Sequence, residues 1–354
     1  MSIQSDFLPA FVQLGKVLKL ASASKPWPGF SCGLNEEEYT SLVKLTKEVY
    51  VYNNWFTEEN VKKCFAGLAL IMDENTLINW LVKYQFNQLE SPKTVALIMA
   101  GNIPLVGFHD FLCVIFSGNK ALIKLSSSDT VLLPALTKLL IKFNPEIEHR
   151  VEFSTGRLAN FDAVIATGSN NSARYFDYYF GKYPHIIRKN RNSVAVISNQ
   201  TTDGALAALG EDIFAYFGLG CRNVSMLYIE KGFDLNRFIS AIFPYNEAIN
   251  NKKYGNNYDY NRALYLLNKI PFLDNGFVLF REDSSLVSPV GVIHYQYYEN
   301  TQDLERLLSQ QSEQIQCVVG EDYIPFGGAQ YPSVDDYADG VDTMRFLTEL
   351  SGSV

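Results

Sequence analysis

The spacing of apolar and polar residues divides the chain into a helical beginning and a longer part in which strands alternate with helices. Residues 7–87 have helical spacing, which predicts helices near 35–50, 57–72 and 74–86. From residue 93 the period changes, and continuous apolar runs predict buried strands at 95–99, 121–125 and 163–166. Predicted helices between these runs indicate a parallel sheet covered on both faces. The fold class is therefore α/β with a helical N-terminal segment.

Small or polar residues stand at the end of each predicted strand. They are Gly101 and Asn102, then Lys124, Ser126 and Ser127, and then Thr167, Gly168 and Ser169. Ligands of parallel sheets bind at the carboxyl ends of the strands, so these residues predict a nucleotide site. Each turn taken alone is equally consistent with an ordinary helix cap.

The strongest candidate for a catalytic residue is Cys221, which follows a predicted helix-breaking turn. Residues 203–217 predict a helix with Asp203 as its N-cap, and residues 224–229 predict a strand. Two glycines just before the cysteine remove Cβ atoms, so a ligand can approach the backbone and the thiol lies on a turn. This favours a nucleophile. The alternative is a small buried thiol, which is the commoner environment of cysteine.

Composition limits the classes of partner and compartment. A chain of 354 residues is long enough for about two domains. The formal charge of −8 argues against nucleic acid, and no apolar run is long enough to predict a membrane span. Five widely spaced cysteines predict a reducing compartment, with the cytoplasm as the expectation. Four isolated histidines and no paired Cys or His motif predict no metal site.

Two polar segments leave alternatives open. The basic cluster at 181–192 is either a solvated face or a set of phosphate contacts. The Tyr- and Asn-rich segment at 246–261 predicts a loop, either a substrate-facing flap or a plain surface loop. The predicted domains are residues 1–200, 201–330 and a C-terminal segment at 331–354.

Five short motifs occur in order along the chain. They are Gly101-Asn102-Ile103-Pro104, Lys124-Leu125-Ser126-Ser127, Thr167-Gly168-Ser169, Gly218-Leu219-Gly220-Cys221 and Pro325-Phe326-Gly327-Gly328. In this order they resemble the aldehyde dehydrogenase superfamily, and more narrowly the acyl-CoA reductase family typified by LuxC of bacterial luminescence. The tail at 337–343 resembles the reductase family in particular. The resemblance covers about residues 93–350. It implies an aldehyde dehydrogenase-like fold with a parallel-sheet cofactor domain and an α/β catalytic domain.

The same resemblance implies roles for the site residues. Cys221 is the nucleophile, and the Asn102 amide faces the reacting carbonyl group. Lys124 meets the adenosine ribose, and residues 167–169 lie at the cofactor phosphates. Ser127 stands where the superfamily has a glutamate that repels a 2'-phosphate, so NADP is the expected cofactor and NAD the alternative.

Two departures from the superfamily bear on the reaction. The glutamate that activates hydrolytic water falls by spacing on Arg188, and the glutamate that holds the nicotinamide ribose falls near Ser285. The predicted reaction is therefore NAD(P)H-dependent reduction of an acyl-CoA to an aldehyde through an acyl-cysteine. The alternatives are an NAD(P)-dependent aldehyde dehydrogenase and a catalytically silent scaffold of a fatty-acid reductase complex. Expected partners are an acyl-protein synthetase and further copies of the chain.

Overall fold

The computed structural model describes residues 3–86, 92–168 and 170–350, which form two compact units. The first unit comprises Met1–Lys189 and Ser333–Val354, and the second comprises Asn190–Pro332. The sequence predicts divisions at 200 and 330, whereas the compact units divide after Lys189 and the C-terminal segment folds with the first unit. Ser169, a predicted cofactor residue, lies outside the described residues.

The helices and strands follow one another along the chain. The helices are α1 (Ile3–Ser22), α2 (Glu36–Glu48), α3 (Glu58–Ile71), α4 (Glu74–Leu81), α5 (Phe108–Phe116), α6 (Leu132–Phe143), α7 (Asn170–Phe180), α8 (Asp203–Phe214), α9 (Leu235–Ala241), α10 (Lys252–Leu267), α11 (Thr301–Gln310) and α12 (Thr343–Glu349). The strands are β1 (Thr94–Ile98), β2 (Lys120–Lys124), β3 (Val151–Phe153), β4 (Ala163–Thr167), β5 (His185–Arg188), β6 (Asn192–Ile197), β7 (Val224–Glu230), β8 (Leu273–Asp274), β9 (Leu279–Glu282), β10 (Val292–Tyr298) and β11 (Ile315–Val319).

The first unit contains a five-stranded parallel sheet in the order β3-β2-β1-β4-β5. Its central strands are apolar and buried, as a sheet covered on both faces requires. Helix α1 packs along α3, α5 and α6, and the Phe11 ring contacts the rings of Phe111 and Phe116. After β1, strands β2 and β3 are added on one side of β1, and strands β4 and β5 are then added on its other side. The turns after β1 and β4 therefore border the topological switch point.

The second unit contains a mixed sheet in the order β11-β6-β7-β10-β9-β8. All neighbouring pairs are parallel except β8 and β9, which are antiparallel. Its core includes Met226 and Tyr228 of β7, which pack with Leu304 and Leu307 of α11. Among the helices in the described ranges, none has both the length and the apolar character that a bilayer span needs.

The polar segment at 246–261 is helical, which corrects the predicted loop. The Asn251 side chain accepts hydrogen bonds from the backbone N–H groups of Lys253 and Tyr254 and so caps α10. Along the helix the buried residues recur at helical spacing: Tyr254, Tyr258, Asn261 and Tyr265. Tyrosine counts as polar in a composition count, but here its ring supplies the buried face.

The segment before Cys221 also differs from the sequence prediction. Helix α8 is capped by Thr202, whose side chain accepts from Ala205 N–H, and not by Asp203. The helix ends at Phe214, three residues earlier than the apolar spacing predicts. Strand β5, which lies within the basic segment, is absent from the prediction. Only its two central residues are apolar, and so short a run does not indicate a strand.

Candidate functional site

The predicted cofactor residues of the first unit lie at the carboxyl edge of its sheet. The backbone N–H of Met99, just after β1, donates to Lys124 O at 3.1 Å. A Cβ atom added to Gly101 would lie 2.6 Å from Ser126 Oγ. The turns after β1 and β2 are therefore in contact, and only glycine fits at position 101. This confirms that the two motifs share one edge of the sheet.

Exposed polar side chains border these turns. Asn102, Lys124 and Ser127 are exposed, and Ser126 is half-buried. Lys124 Nζ donates one hydrogen bond, to Gly156 O at 3.2 Å. An ammonium carries three N–H groups, so the lysine retains donors for an anionic or hydroxyl-bearing ligand.

A hydrogen bond to Asp129 stabilises the loop that contains Asn102. Asp129 is buried, and its Oδ2 accepts from Leu105 N–H at 2.9 Å. Burial raises the pKa of this carboxyl group, although the backbone donors oppose the rise. Leu105 has a left-handed φ of 56°. The hydrogen bond from Leu105 N–H therefore stabilises a strained turn three residues after Asn102.

Thr167 and Gly168 lead directly into helix α7, which begins at Asn170. A Cβ atom on Gly168 would lie 2.8 Å from Ser172 Cβ, so glycine lets the helix pack closely on the preceding turn. The first backbone N–H groups of a helix attract phosphate. A phosphate contact at this turn stays a prediction.

Arg188 is buried in an ion pair, so for this residue both alternatives of the sequence analysis, a solvated face and a phosphate contact, are wrong. Its Nη2 donates to Asp110 Oδ1 and to Thr343 Oγ1, both at 2.7 Å, and its Nη1 donates to Ala338 O at 2.6 Å. Burial alone would lower the pKa of Arg188. The Asp110 carboxylate has the opposite and larger effect, so the pKa is raised and the guanidinium stays charged. Arg188 thereby fastens the C-terminal segment, which also receives a hydrogen bond from Trp80 Nε1 to Tyr337 Oη.

A left-handed turn separates helix α8 from Cys221 in the second unit. Tyr216, Phe217 and Gly218 have φ values of 52°, 58° and 76°. Left-handed backbone costs a non-glycine residue about 1–2 kcal/mol. Glycine adopts this backbone conformation without that cost, which explains Gly218. The two aromatic residues before it hold a conformation that the rest of the unit must stabilise.

Asn223 joins the end of helix α8 to this turn. Its Nδ2 contacts the carbonyl oxygens of Asp212, Ile213 and Ala215 at 3.0, 3.3 and 2.8 Å. Its Oδ1 accepts from Gly220 N–H at 2.8 Å. One buried amide therefore satisfies carbonyl groups at the end of the helix and holds the N–H of Gly220, the residue before Cys221.

The late Pro-Phe-Gly-Gly motif is tied to the same turn. The Asp212 carboxylate accepts from Gly327 N–H at 2.6 Å and from Ala329 N–H at 2.8 Å. Arg222, next to the cysteine, donates from Nε to Ala329 O at 2.5 Å. Burial raises the pKa of Asp212 to about 6, against the opposing effect of the two backbone donors. Two motifs about 100 residues apart thus form one assembly in the second unit.

Cys221 differs from the other cysteines in its surroundings. It is half-buried, whereas Cys32, Cys64, Cys113 and Cys317 are buried. Burial raises the pKa of Cys64 and of Cys113, which disfavours their thiolates. All five lie in described residues, and none of them forms a disulfide. No group of three or more metal-ligating side chains gathers in the part of the chain that the structure describes.

Comparison with protein families decides the assignment. Residues 36–242, more than half of the chain, match the acyl-CoA reductase (LuxC) family. The chain belongs to the LuxC acyl-CoA reductase family. At the level of this family it is an oxidoreductase that acts on aldehydes or acyl-CoA. A search of curated protein sequences gave no significant match.

Solved structures show the fold of this family member. A structure described as methylmalonate-semialdehyde dehydrogenase from Sinorhizobium meliloti, bound to NAD, has a TM-score of 0.63 at 15% identity over 93% of this chain and 74% of its own. Aldehyde dehydrogenase 21 from Physcomitrella patens has a TM-score of 0.60 at 11% identity, over 96% and 84%. A 1-pyrroline-5-carboxylate dehydrogenase from Thermus thermophilus has 0.60 at 12%, over 99% and 83%. The aldehyde dehydrogenase-like fold is confirmed.

The structure gathers the predicted residues within each unit. In the first unit it brings Gly101 to Ser126, and Thr167 and Gly168 to the start of α7. Cys221 belongs to the second unit, together with three residues absent from the sequence prediction: Ser193, Asp212 and Asn223. An asparagine two positions after a cysteine that follows a glycine was the available signal for Asn223, because asparagine often hydrogen-bonds nearby backbone in turns.

Proposed function

We propose that this family member reduces an acyl thioester to an aldehyde through an acyl-enzyme at Cys221, with NADP(H) as the preferred cofactor. The observation that carries the proposal is the environment of Cys221. It is the one half-buried thiol among five cysteines, and it follows a left-handed turn next to which the Asn223 amide makes buried hydrogen bonds. Strained backbone of this kind is concentrated at functional sites.

The chemistry begins with the Cys221 thiolate. It attacks the carbonyl carbon of the acyl-CoA, a C–S bond forms, and the tetrahedral oxyanion collapses with release of CoA as its thiolate. One thioester replaces another, so this exchange is close to balanced in energy. The Cys221 backbone N–H and the Asn102 amide are the expected oxyanion donors, each worth about 3 kcal/mol in acyl transfer. The part played by Asn102 remains a prediction.

The first unit is the proposed cofactor domain, and the second unit is the proposed catalytic domain. Exposed Lys124 and Ser127, and the N-terminus of α7, fit a dinucleotide at the switch point of an open parallel sheet. Gly101, Ser126, Thr167, Gly168 and Ser169 complete the proposed set. When bound, the reduced cofactor supplies the hydride that turns the acyl thioester into an aldehyde and regenerates the cysteine. The Sinorhizobium structure, which contains NAD, supports a nicotinamide cofactor.

Arg188 stands, by sequence spacing, where the superfamily has the glutamate that activates water, and this favours reduction over hydrolysis. Release of a carboxylic acid requires a general base beside water, and a guanidinium paired with a carboxylate cannot accept a proton. Acyl-Cys221 should therefore persist until it receives hydride or returning CoA. The aldehyde dehydrogenase alternative, which ends in hydrolysis, needs a base from elsewhere.

The test is a single-turnover acylation. The protein is mixed with radiolabelled acyl-CoAs of graded chain length without reduced cofactor, and label on the protein and in free acid is followed. We expect a long-lived acyl-enzyme that NADPH converts to aldehyde, with no label on Cys221→Ala. Rapid release of free acid would contradict the proposal and point to a carboxylate such as Glu211. No acylation at any chain length would favour the silent scaffold.

A further inference from the structure

We propose that Ser193 is a positioning residue for Cys221, which acts by fixing the carbonyl group of the nucleophile. The proposal rests on the assignment of Cys221 as the nucleophile. Ser193 is fully buried in strand β6, and its Oγ donates to Cys221 O at 3.0 Å. Its backbone N–H donates to Asn223 O at 3.3 Å. One residue thus holds the chain on both sides of Arg222.

Cys317 completes this hydrogen-bond chain. Its Sγ lies 3.0 Å from Ser193 Oγ, and both side chains are buried. A serine hydroxyl has one hydrogen, which here is directed to Cys221 O. With that hydrogen directed to Cys221, the Cys317 S–H is the donor available for the contact with Ser193 Oγ. The hydrogen bonds then run from Cys317 to Ser193 and from Ser193 to Cys221.

The strands around Ser193 are irregular on both sides. In the β6–β7 pair, Ser193 faces Val224 but Val194 faces Met226, so β7 contains one extra residue. In the β11–β6 pair, Asn192 faces Ile315 but Val194 faces Val318, so β11 also contains one extra residue. Bulges redirect side chains and are frequent beside active sites. Two of them flank the residue whose hydroxyl reaches the nucleophile.

The consequence for Cys221 is a backbone restrained at two peptide groups. Asn223 Oδ1 accepts from Gly220 N–H before the cysteine, and Ser193 binds the cysteine carbonyl after it. The peptide group between Gly220 and Cys221 is itself held, because Asn223 N–H donates to Gly220 O at 3.0 Å. With the carbonyl groups before and after the cysteine both held, the directions of its Cα–Cβ bond and of its N–H are restrained. Ser193 touches no reacting atom in this arrangement. It affects the rate of acylation through geometry, for which misplacement by about 1 Å can cost about 100-fold.

The experiment compares Ser193→Ala with the wild-type chain in two measurements. Hydrogen exchange, followed by mass spectrometry, should become faster in peptides that cover residues 215–223 and remain unchanged in the first unit. The kcat for acyl-CoA reduction should fall about 10- to 100-fold while KM stays within about twofold. A change in KM alone would contradict a positioning role.

Two further variants keep the test decisive. Cys317→Ser retains a donor to Ser193 and should exchange and turn over like the wild type. Ser193→Cys has a similar shape but a weaker donor, should give an intermediate kcat, and replaces Ser193→Ala if that variant does not fold. Wild-type exchange at 215–223 and a wild-type rate of Cys221 alkylation by iodoacetamide in Ser193→Ala would overturn the proposal, whether or not the protein reduces acyl-CoA. Absence of acylation in the wild-type chain would instead refute the proposed function.

Discussion

The two units place their candidate functional residues by different physical means. In the first unit, residues 101–102, 124–127 and 167–168 follow three adjacent parallel strands, and the sheet itself brings them to one edge. In the second unit, Cys221 precedes strand β7 and is reached through a left-handed turn. Its surroundings depend on contacts between residues far apart in sequence, such as the hydrogen bonds from Gly327 N–H and Ala329 N–H to the Asp212 carboxylate.

This difference teaches where each site is sensitive. Backbone hydrogen bonds of the sheet determine where a loop at the end of a strand lies. Single side chains in such a loop therefore mainly affect the affinity for a ligand. A turn held by buried side-chain hydrogen bonds loses its geometry when one partner is removed, because the remaining buried polar group is left unsatisfied. Substitutions in the second unit should therefore affect catalysis and stability more than those at the sheet edge.

The largest effect is expected at the nucleophile itself. Cys221→Ala removes the thiolate that forms the acyl-enzyme, so kcat/KM for acyl-CoA reduction should fall by at least about 1,000-fold. The measurement is the loss of NADPH absorbance with acyl-CoA. Circular dichroism and the melting temperature should stay close to those of the wild type, because the thiol is only half-buried.

The buried cysteines provide the matched controls for this variant. Cys32→Ala and Cys113→Ala should keep turnover, with at most a loss of stability from the cavity that each leaves. Iodoacetamide should modify Cys221 first, and the inactivation rate should match the rate of its modification. Substantial turnover by Cys221→Ala would remove the basis for the comparison between the two units.

The Arg188–Asp110 ion pair is an exception to the local character of the first unit. Arg188→Ala leaves the buried Asp110 carboxylate without its cation, and breaking a buried pair costs about 3–5 kcal/mol. The free energy of unfolding in urea should fall by this amount. The double variant Arg188→Met with Asp110→Leu removes both charges and should recover most of the loss. Equal destabilisation in the double variant would show that the packing of the arginine, and not its charge, is what matters.

The residues at the sheet edge could be predicted from the sequence because each one directly follows an apolar run in the chain. Apolar runs predict strands, and parallel strands place their ends together, so Lys124 and Thr167 could be assigned to one edge without coordinates. The contacts of Arg188, Ser193 and Asp212 join residues widely separated along the chain or depend on bulges. No period or motif encodes such contacts. Helix α10 is absent from the prediction for a different reason, because three of its four buried residues are tyrosines, which count as polar in a composition count.

The third prediction concerns the pH dependence of the second unit through Asp212. Its pKa is raised from 3.8 to about 6, chiefly by burial. The folded state therefore holds a proton that the unfolded state releases between these values. The contribution of Asp212 to stability is complete below about pH 4 and is lost as the pH rises through about 6. Asp212→Asn removes this slope, so its destabilisation should be larger at pH 4 than at pH 7, by up to about 3 kcal/mol.

The neighbours of Asp212 supply the control. Glu211 raises the pKa of Asp212 and Arg222 lowers it, after the larger effects of burial and the two backbone donors. Glu211→Gln keeps the titrating group and should move the slope to slightly lower pH without removing it. Urea titrations of the three proteins from pH 4 to pH 7 make the comparison. A difference between Asp212→Asn and wild type that is constant over this range would contradict the assignment.

The smallest effect is expected at the edge of the first sheet, where side chains set ligand preference and not the geometry of the turn. Ser127→Glu places a carboxylate where the 2'-phosphate of NADP is proposed to bind, and like charges brought together disfavour the complex. The Kd for NADPH, measured by fluorescence titration, should rise about tenfold or more, while the Kd for NADH changes little or falls. Ser127→Ala is the matched control, since it removes the hydroxyl without adding charge and should weaken NADPH binding only slightly. Because Ser127 is exposed, the melting temperature of both variants should stay near that of the wild type. Tighter binding of NADH than of NADPH by the wild-type protein would contradict the predicted cofactor preference.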